Sequence, residues 1–461
     1  TAFAYGTSYF SAVVFVGYAG QFGYKYGLAS TWIGIGNAVL GSLVAWVVLG
    51  RRTRIMSKHL GSMTMPDFFG KRYDSQSLRI AASVIAFIFL IPYTASVYNG
   101  LSYLFGMAFD VDFRICVVVM AVLTGVYVII GGYMATAWND LIQGIIMLFG
   151  IVAVIAAVLS GHGGFMAAVK ELAQVPSSVM PGAYASFLGP DPANLFGVVI
   201  LTSLGTWGLP QMIQKFYAIK DEKAVHTGTI ISTLFAIVVS GGCYFLGGFS
   251  RISGVKEAVD GTVKYDTIIP TMLSSLPDIL IGIVIVLVLS ASMSTLSSLV
   301  LTSSSTLTLD FIKPLFVKKM NEKQQLVWMR VLLAGFILIS VVIALDPPAF
   351  IAQLMGISWG ALAGAFLAPF LYGLYWKGVT RAAVWASFIC GVGITVANMF
   401  FRFIASPINA GAFAMVAGLV IVPVVSLISP KLKKETVEDV FHCLEEKVMV
   451  EQKLALPEEE E

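Results

Sequence analysis

Ser290-Ala291-Ser292-Met293-Ser294-Thr295-Leu296-Ser297-Ser298 lies at the centre of a long apolar stretch, 278–310. At 3.6 residues per turn, Ser294, Ser297 and Ser298 share one helix face and Thr295 flanks it. One or two Ser or Thr in an apolar helix bond back to the carbonyl four residues earlier. Four in five positions exceed what that habit needs. Hydroxyl and carbonyl oxygens are hard ligands suited to a small monovalent cation such as sodium, which needs no deep carboxylate. Packing of hydroxyls between helices is the competing reading.

The surroundings decide the class. The chain has 461 residues, 57% hydrophobic and 12% charged, with mean hydropathy +0.86. A soluble protein averages about 25% charged residues. The stretch from Lys431 to Glu461 holds 10 of the 26 acids and 5 of the 29 bases. The 430 residues before it keep 16 acids and 24 bases, a net charge of +8. This excludes a soluble enzyme, a disordered chain and a nucleic-acid binder, whose basic stripe is missing. The chain is an all-α polytopic membrane protein. Crossing a bilayer takes about 20 apolar residues, and spans are expected near 2–24, 28–50, 78–108, 114–133, 139–160, 193–217, 226–249, 278–310, 325–345, 350–376, 380–403 and 411–429. The runs lack the alternation of a membrane barrel. With 51–79 placed in the cytoplasm, alternation puts 20 of the 29 bases on that side and 7 on the other, the last two lying in the distal tail. That bias supports the twelve crossings together and places the charged tail in the cytoplasm.

The connection 161–192 divides the chain into five spans and then seven. If five spans repeat the first five, the second copy enters from the opposite face, because five is odd. Such inverted repeats occur in many secondary transporters, which bind cargo where the first helix of each repeat unwinds at the bilayer midplane. The first span here carries Tyr5-Gly6-Thr7-Ser8-Tyr9-Phe10, and the sixth carries Gly205-Thr206-Trp207-Gly208-Leu209-Pro210-Gln211. Gly and Pro weaken the helical ladder, and a freed backbone group in lipid must find a partner. Close packing of small residues remains the other reading of each. The pocket beside the breaks is expected to use Tyr5, Ser8, Tyr9, Tyr93, Asn99, Thr206, Trp207, Gln211 and Trp359, which offer aromatic faces and neutral hydrogen bonders.

Asp140 opens the fifth span. An acid within a membrane helix needs a partner or a task, but at a helix start it can also cap the dipole; both readings stand. Asp110, Asp112, Asp278 and Asp310 lie at span ends, where solvated or capping roles are the default. The first acid in the chain is Asp67, so the first two spans hold no carboxylate. Cys116, Cys243, Cys390 and Cys443 are far apart and read as apolar fillers plus one tail thiol. The chain opens at Thr1 inside an apolar segment, so further residues are expected upstream of this numbering.

Three stretches carry a resemblance. Thr64-Met65-Pro66-Asp67-Phe68-Phe69-Gly70-Lys71-Arg72-Tyr73-Asp74, Gly131 to Gln143, and Ala291-Ser292-Met293-Ser294-Thr295-Leu296-Ser297 resemble signatures of the sodium/solute symporter family. The resemblance covers nearly the whole chain. It implies a LeuT-type core of two inverted five-helix halves with two additional C-terminal helices. That gives 1–160 as the first repeat, 161–192 as an extracellular connection, 193–376 as the second repeat, 377–429 as the two extra helices and 430–461 as the cytoplasmic tail. It also implies a common sodium site of backbone oxygens from Thr7, Phe10 and Ala291 with the hydroxyls of Ser294 and Thr295. A further site, described in the sialic acid branch, maps to Asp140, Ser294, Ser297 and Ser298. The proline branch has an aspartate where this chain has Tyr9, and its aromatic pair in the sixth helix aligns with Thr202 and Thr206.

The reading is a sodium-coupled symporter of the cell (plasma or inner) membrane. It imports a small polar organic solute, an amino acid, sugar or carboxylate, by alternating access. It is no enzyme, and its expected partners are sodium ion, the solute and the bilayer. A proton-coupled symporter, with Asp140 as the titrating group, and a transporter-like sensor with the tail as output are the alternatives. The tail carries heptad-like apolar positions at Val437, Val440, Leu444 and Val448.

Overall fold

The computed structural model describes residues 10–217, 219, 222–255 and 263–455, and describes 130–141, 143, 222–224 and 445–455 by their backbone alone. The regular elements among these residues are helices. Nine are long and apolar enough to cross a membrane, or ten with the bent pair over 192–217 counted as one. One of the nine, Val13–Leu60, is too long for a single crossing. It turns at Gly27, where φ is +61° and the Tyr184 carbonyl sits where a Cβ would point. The first two spans are therefore a hairpin.

A second long run, Phe113–Gly161, covers both the fourth and fifth expected spans. A straight helix of that length would reach about 73 Å. Its ends return to one face of the bundle. Phe113 packs on Tyr103 at the end of the third span. Phe165, just past the run, packs on Phe245 and Phe249 at the end of the seventh. The run therefore carries two crossings. Counting the division at Gly27 and the shorter apolar helix Phe113–Ile129 brings ten to the twelve crossings expected.

The tenth span, Ile351–Tyr375, is the structural axis, almost wholly buried, whereas the ninth, Glu322–Leu345, faces outward along most of its length. Lipid gives apolar helices no hydrophobic reason to associate, so close backbone approach must do it. Small residues supply that approach. A Cβ on Gly391 of the eleventh span would meet the Gly364 backbone of the tenth at 2.2 Å. Gly360 and Gly411 face each other in the same way between the tenth and twelfth spans.

The tail forms a helix, Lys434–Ala455, that lies against Arg51–Leu60, the end of the second span. Val437, Val440, Phe441 and Cys443 are buried there, and Asp439 offers its carbonyl to His59 at 2.9 Å. The expected apolar positions Val437 and Val440 thus dock on this chain, Leu444 packs beside them, and the side chain of Val448 lies outside the described residues.

The first and seventh spans cross at Gly23 and Gly247, where a Cβ on Gly23 would lie 2.0 Å from the Gly247 carbonyl oxygen. Gly23→Ala should destabilise the protein by about 1–3 kcal/mol, the cost of overpacking, seen as a lower melting temperature in detergent. Gly393→Ala, which meets open space, should leave it unchanged. Equal melting temperatures for the two variants would contradict this crossing.

Candidate functional site

Of the two expected breaks, the sixth-span one lies wholly within the described residues, whereas of the first only the segment from Phe10 onward is described. At the first, Phe10 is non-helical, Ser11 bends, and the earliest turn closes with the Phe15 amide donating to the Ser11 carbonyl at 3.0 Å. Two bonds stitch this point to the eighth span. The Ala12 amide donates to Ser292 Oγ at 2.9 Å, and Thr295 Oγ1 donates to the Phe10 carbonyl at 3.4 Å. The second of these is long for an O–H···O bond, so it holds the carbonyl weakly. Ala291, Ser294, Thr295 and Ser297 are buried and Ser298 is half-buried. Ser297 Oγ donates to the Ser294 carbonyl at 3.0 Å. The structure thus brings Phe10 and Thr295 of the common sodium set into contact, with Ala291 and Ser294 on the adjoining turn. Thr7 lies outside the described residues, as do Tyr5, Ser8 and Tyr9 of the expected pocket and the side chain of Asp140.

The sixth span breaks as expected. Pro192–Leu204 is followed by a tight 3₁₀ turn, Gly205–Gly208, then extended Leu209, then Pro210–Tyr217, with a bend of 48°. Thr206 and Trp207 serve the break itself. Thr206 Oγ1 donates to the Ser203 carbonyl at 2.9 Å, and Trp207 Nε1 donates to the Leu40 carbonyl of the second span at 3.0 Å.

Between the breaks is a narrow cavity of about 10 Å³, lined by Tyr18, Asn37, Tyr93, Thr202, Tyr244 and Trp359 with Val14 and Met355. That volume is about one water. Tyr93 and Trp359 are expected pocket residues, and their rings meet edge to face at 5.9 Å. Among the described residues the Tyr18 hydroxyl and Trp359 Nε1 are buried without a hydrogen-bond partner, and an unbonded buried donor costs roughly 1–3 kcal/mol. Asn99 and Gln211 are buried, but neither lines the cavity; nor do Thr206 and Trp207. Tyr18, Asn37 and Tyr244 escaped the sequence reading. For Asn37 a signal existed, as it is the one amide in the apolar run 28–50.

The description of the sodium:solute symporter family matches residues 1–391. The chain belongs to that family. It is 28% identical over 397 residues to the sodium/pantothenate symporter of Haemophilus influenzae, covering 84% of this chain and 79% of the relative. It is 27% identical over 447 residues to a sodium/proline symporter of Staphylococcus aureus, covering 94% and 85%. Its fold is that of a solved Na⁺-coupled sialic acid symporter, with a TM-score of 0.73, 16% identity and coverage of 94% and 91%. A nucleobase-cation-symport-1 family transporter, solved closed with bromovinylhydantoin, follows at a TM-score of 0.53, 13% identity and coverage of 95% and 94%. This family member is thus a multi-pass membrane transporter of LeuT-type fold, and it couples solute movement to sodium.

Polar contacts tie the spans together at each end of the bundle. At one, Asp310 is fully buried, which corrects the expectation of a solvated or capping acid at a span end. Its carboxylate accepts from Thr64 Oγ1 and, at 2.7 Å, from Arg79 Nε. Arg79 also reaches Asp67 at 3.3 Å, and Asp67 pairs with Lys71 at 2.9 Å. The acid was misplaced because hydropathy marks where a span ends, not what folds back over it. On the other face, the Arg251 guanidinium lies between the rings of Tyr24 and Tyr184, 3.9 Å from each centroid, and Nε donates to the Tyr24 carbonyl. Asp266 accepts from the Ile351 amide at the head of the tenth span.

Burial pushes the Asp266 carboxyl up to about 7, with the Ile351 amide opposing the shift. A carboxyl raised in the folded state binds its proton more tightly there than in the unfolded chain. Folded stability therefore falls as pH rises from about 4, the unfolded value, towards 7. Asp266→Asn keeps an acceptor for Ile351 and removes the buried charge. Its melting temperature relative to the parent should be higher at pH 8 than at pH 5. A difference independent of pH would show that Asp266 is not held protonated by burial.

Proposed function

We propose that this transporter imports a small polar organic solute, an amino acid, sugar or carboxylate, with sodium bridging the broken first span to the eighth. The observation that carries this is the contact between the Phe10 carbonyl and the Thr295 hydroxyl. It joins a free carbonyl to a hydroxyl-rich face at the point where the backbone ladder fails. A sodium ion offers that carbonyl a stronger partner than a 3.4 Å hydrogen bond, and Thr7, Ala291, Ser294 and Thr295 complete its set. Sodium then fixes the break, the solute binds between the first, third, sixth and tenth spans, and the outer face closes. Linkage makes the effect mutual: sodium raises solute affinity by the factor by which solute raises sodium affinity.

Tyr18, Asn37, Tyr93, Thr202, Tyr244 and Trp359 supply hydrogen bonds and ring faces but no fixed charge. That suits a neutral or zwitterionic solute; the proton-coupled alternative rests on Asp140, whose side chain lies outside the described residues. The relatives' solutes, proline and pantothenate, are the first to try. The chain's division at 160, 192, 376 and 429 into two inverted halves, two extra helices and a cytoplasmic tail belongs to the same proposal. So does its place in the cell membrane, with 51–79 inside. The base asymmetry supports this orientation.

Replacing Ser294 and Thr295 together with alanine leaves the ion only carbonyls. The apparent sodium affinity for uptake into proteoliposomes should fall at least tenfold, about 1.4 kcal/mol. Uptake that stays sodium-dependent with unchanged affinity would sink the assignment.

Asp140, Ser294, Ser297 and Ser298 form the proposed second sodium set, one charge with three hydroxyls. Asp140→Asn retains size and capping ability. Reversal potentials should move from two sodium ions per solute towards one in the variant. One sodium per solute in the unmutated protein would reject the second coupled ion.

A further inference from the structure

The pocket behind the Arg79–Asp310 lock has a volume of about 540 Å³, and the transport cycle above makes no use of it. Its walls hold four cations, Lys71, Arg79, Lys313 and Lys318, against two carboxylates, Asp67 and Asp310. Lys71 and Arg79 are committed to those carboxylates. Lys313 and Lys318 form no ion pair among the described residues, so the pocket carries two uncompensated positive charges. Its volume lies in the range of small-molecule sites.

What borders the pocket selects the anion. Pro314, in its wall, runs directly into Leu315 and Phe316, which are 46% and 71% exposed. The adjoining start of the ninth span shows Leu326, Val327 and Val331 to the outside, with Trp328 among them. Exposed apolar chain with an aromatic residue at its edge marks the boundary of the hydrocarbon layer. A basic pocket at that depth, opening beside an apolar rim, matches a ligand with an anionic head and hydrocarbon tails. A soluble anion would gain nothing from Leu315 and Phe316.

We propose that this pocket binds the phosphodiester headgroup of an anionic phospholipid, with Lys313 and Lys318 on the phosphate and the acyl chains along Leu315 and Phe316. The bound lipid sits against the Thr64–Asp310–Arg79–Asp67 lock and couples the composition of that leaflet to its strength. The lipid site stands independently of which solute is carried, and the orientation proposed above only names the leaflet as cytoplasmic.

The test uses the full chain purified in neutral detergent, with phosphatidylglycerol and phosphatidylcholine offered in turn and retained lipid counted by native mass spectrometry. Phosphatidylglycerol should be retained over phosphatidylcholine. Its affinity should fall roughly tenfold or more in the Lys313→Gln/Lys318→Gln variant, since each base near a lipid phosphate contributes about a factor of five. Lys433→Gln/Lys434→Gln removes two bases from the same face outside the pocket and should retain the lipid like the parent. Should the double variant fold poorly, each single substitution should show part of the loss. Equal retention by all variants would overturn the site. Displacement of the lipid by millimolar inorganic phosphate, with equal protection of the protein against heat, would assign the pocket to a soluble anion and overturn the lipid. Sodium-dependent uptake by the same preparations separates failure of this site from failure of the symport reading.

Discussion

A helix that stops inside a bilayer leaves carbonyls and amides that no water will satisfy, and much of this transporter is arranged around two such points, the helix start after Phe10–Ser11 and the break at Gly205–Leu209. Each unsatisfied group in lipid costs several kcal/mol, so the helix start at Phe10–Ser11 can persist only against another polar surface. The eighth span provides it. Ser292 takes the Ala12 amide and Thr295 reaches the Phe10 carbonyl. The same logic holds at Gly205–Leu209, where Trp207 and Thr206 bind the chain to carbonyls of the second and sixth spans. The hydroxyls of the eighth span are therefore structural before they are functional. The proposed ion site draws on the second of these stitches, Thr295 to the Phe10 carbonyl, being long.

The tenth span makes these breaks usable. Gly208 lies against Ala363 and Leu367 with no room for a Cβ, so the bent sixth span is seated on a rigid neighbour. Above and below, the closures are of different kinds. One is an ion-pair network around a fully buried carboxylate. The other is a guanidinium held between two tyrosine rings. With a cavity of one water's volume between them, solute entry requires one closure to open and the walls to part. Interfaces of small residues, packed backbone to backbone, favour movement of whole helices over local bending.

Much of this was legible in the sequence for a simple reason. Hydropathy reports spans, and Gly, Pro and polar residues inside an apolar run report breaks. Thus 205–211 reads as a break and is one, and 290–298 reads as a hydroxyl-rich face whose hydroxyl residues are buried apart from Ser290 and Ser298. Two classes of fact were hidden. Pairings across long separations, such as Thr64 with Asp310, leave no local pattern, so Asp310 looked like an ordinary end-of-span acid. Aromatic residues carry no label saying which turn they face. Tyr18 and Tyr244 line the cavity while Thr206 and Trp207, equally conspicuous in sequence, turn away to hold the backbone.

The charge inventory constrains how such a site can work. With no acid in the first two spans and none lining the central cavity among the described residues, an ion at the proposed common site would meet only dipoles and hydroxyls from the first and eighth spans. Such a set binds sodium weakly compared with one containing a carboxylate, since no full charge offsets the lost hydration. For a transporter that weakness has a use. An ion held too firmly could not leave on the low-sodium side, and conformational work comes only from the difference in affinity between the two states. In the proposed site, sodium affinity would depend on the Phe10 carbonyl standing opposite Thr295, a geometry set by how the first span leans on the eighth. Tilting one against the other would dissolve the set without any group changing its charge. In the proposed cycle, release would thereby be tied to the same helix movement that opens the inner face.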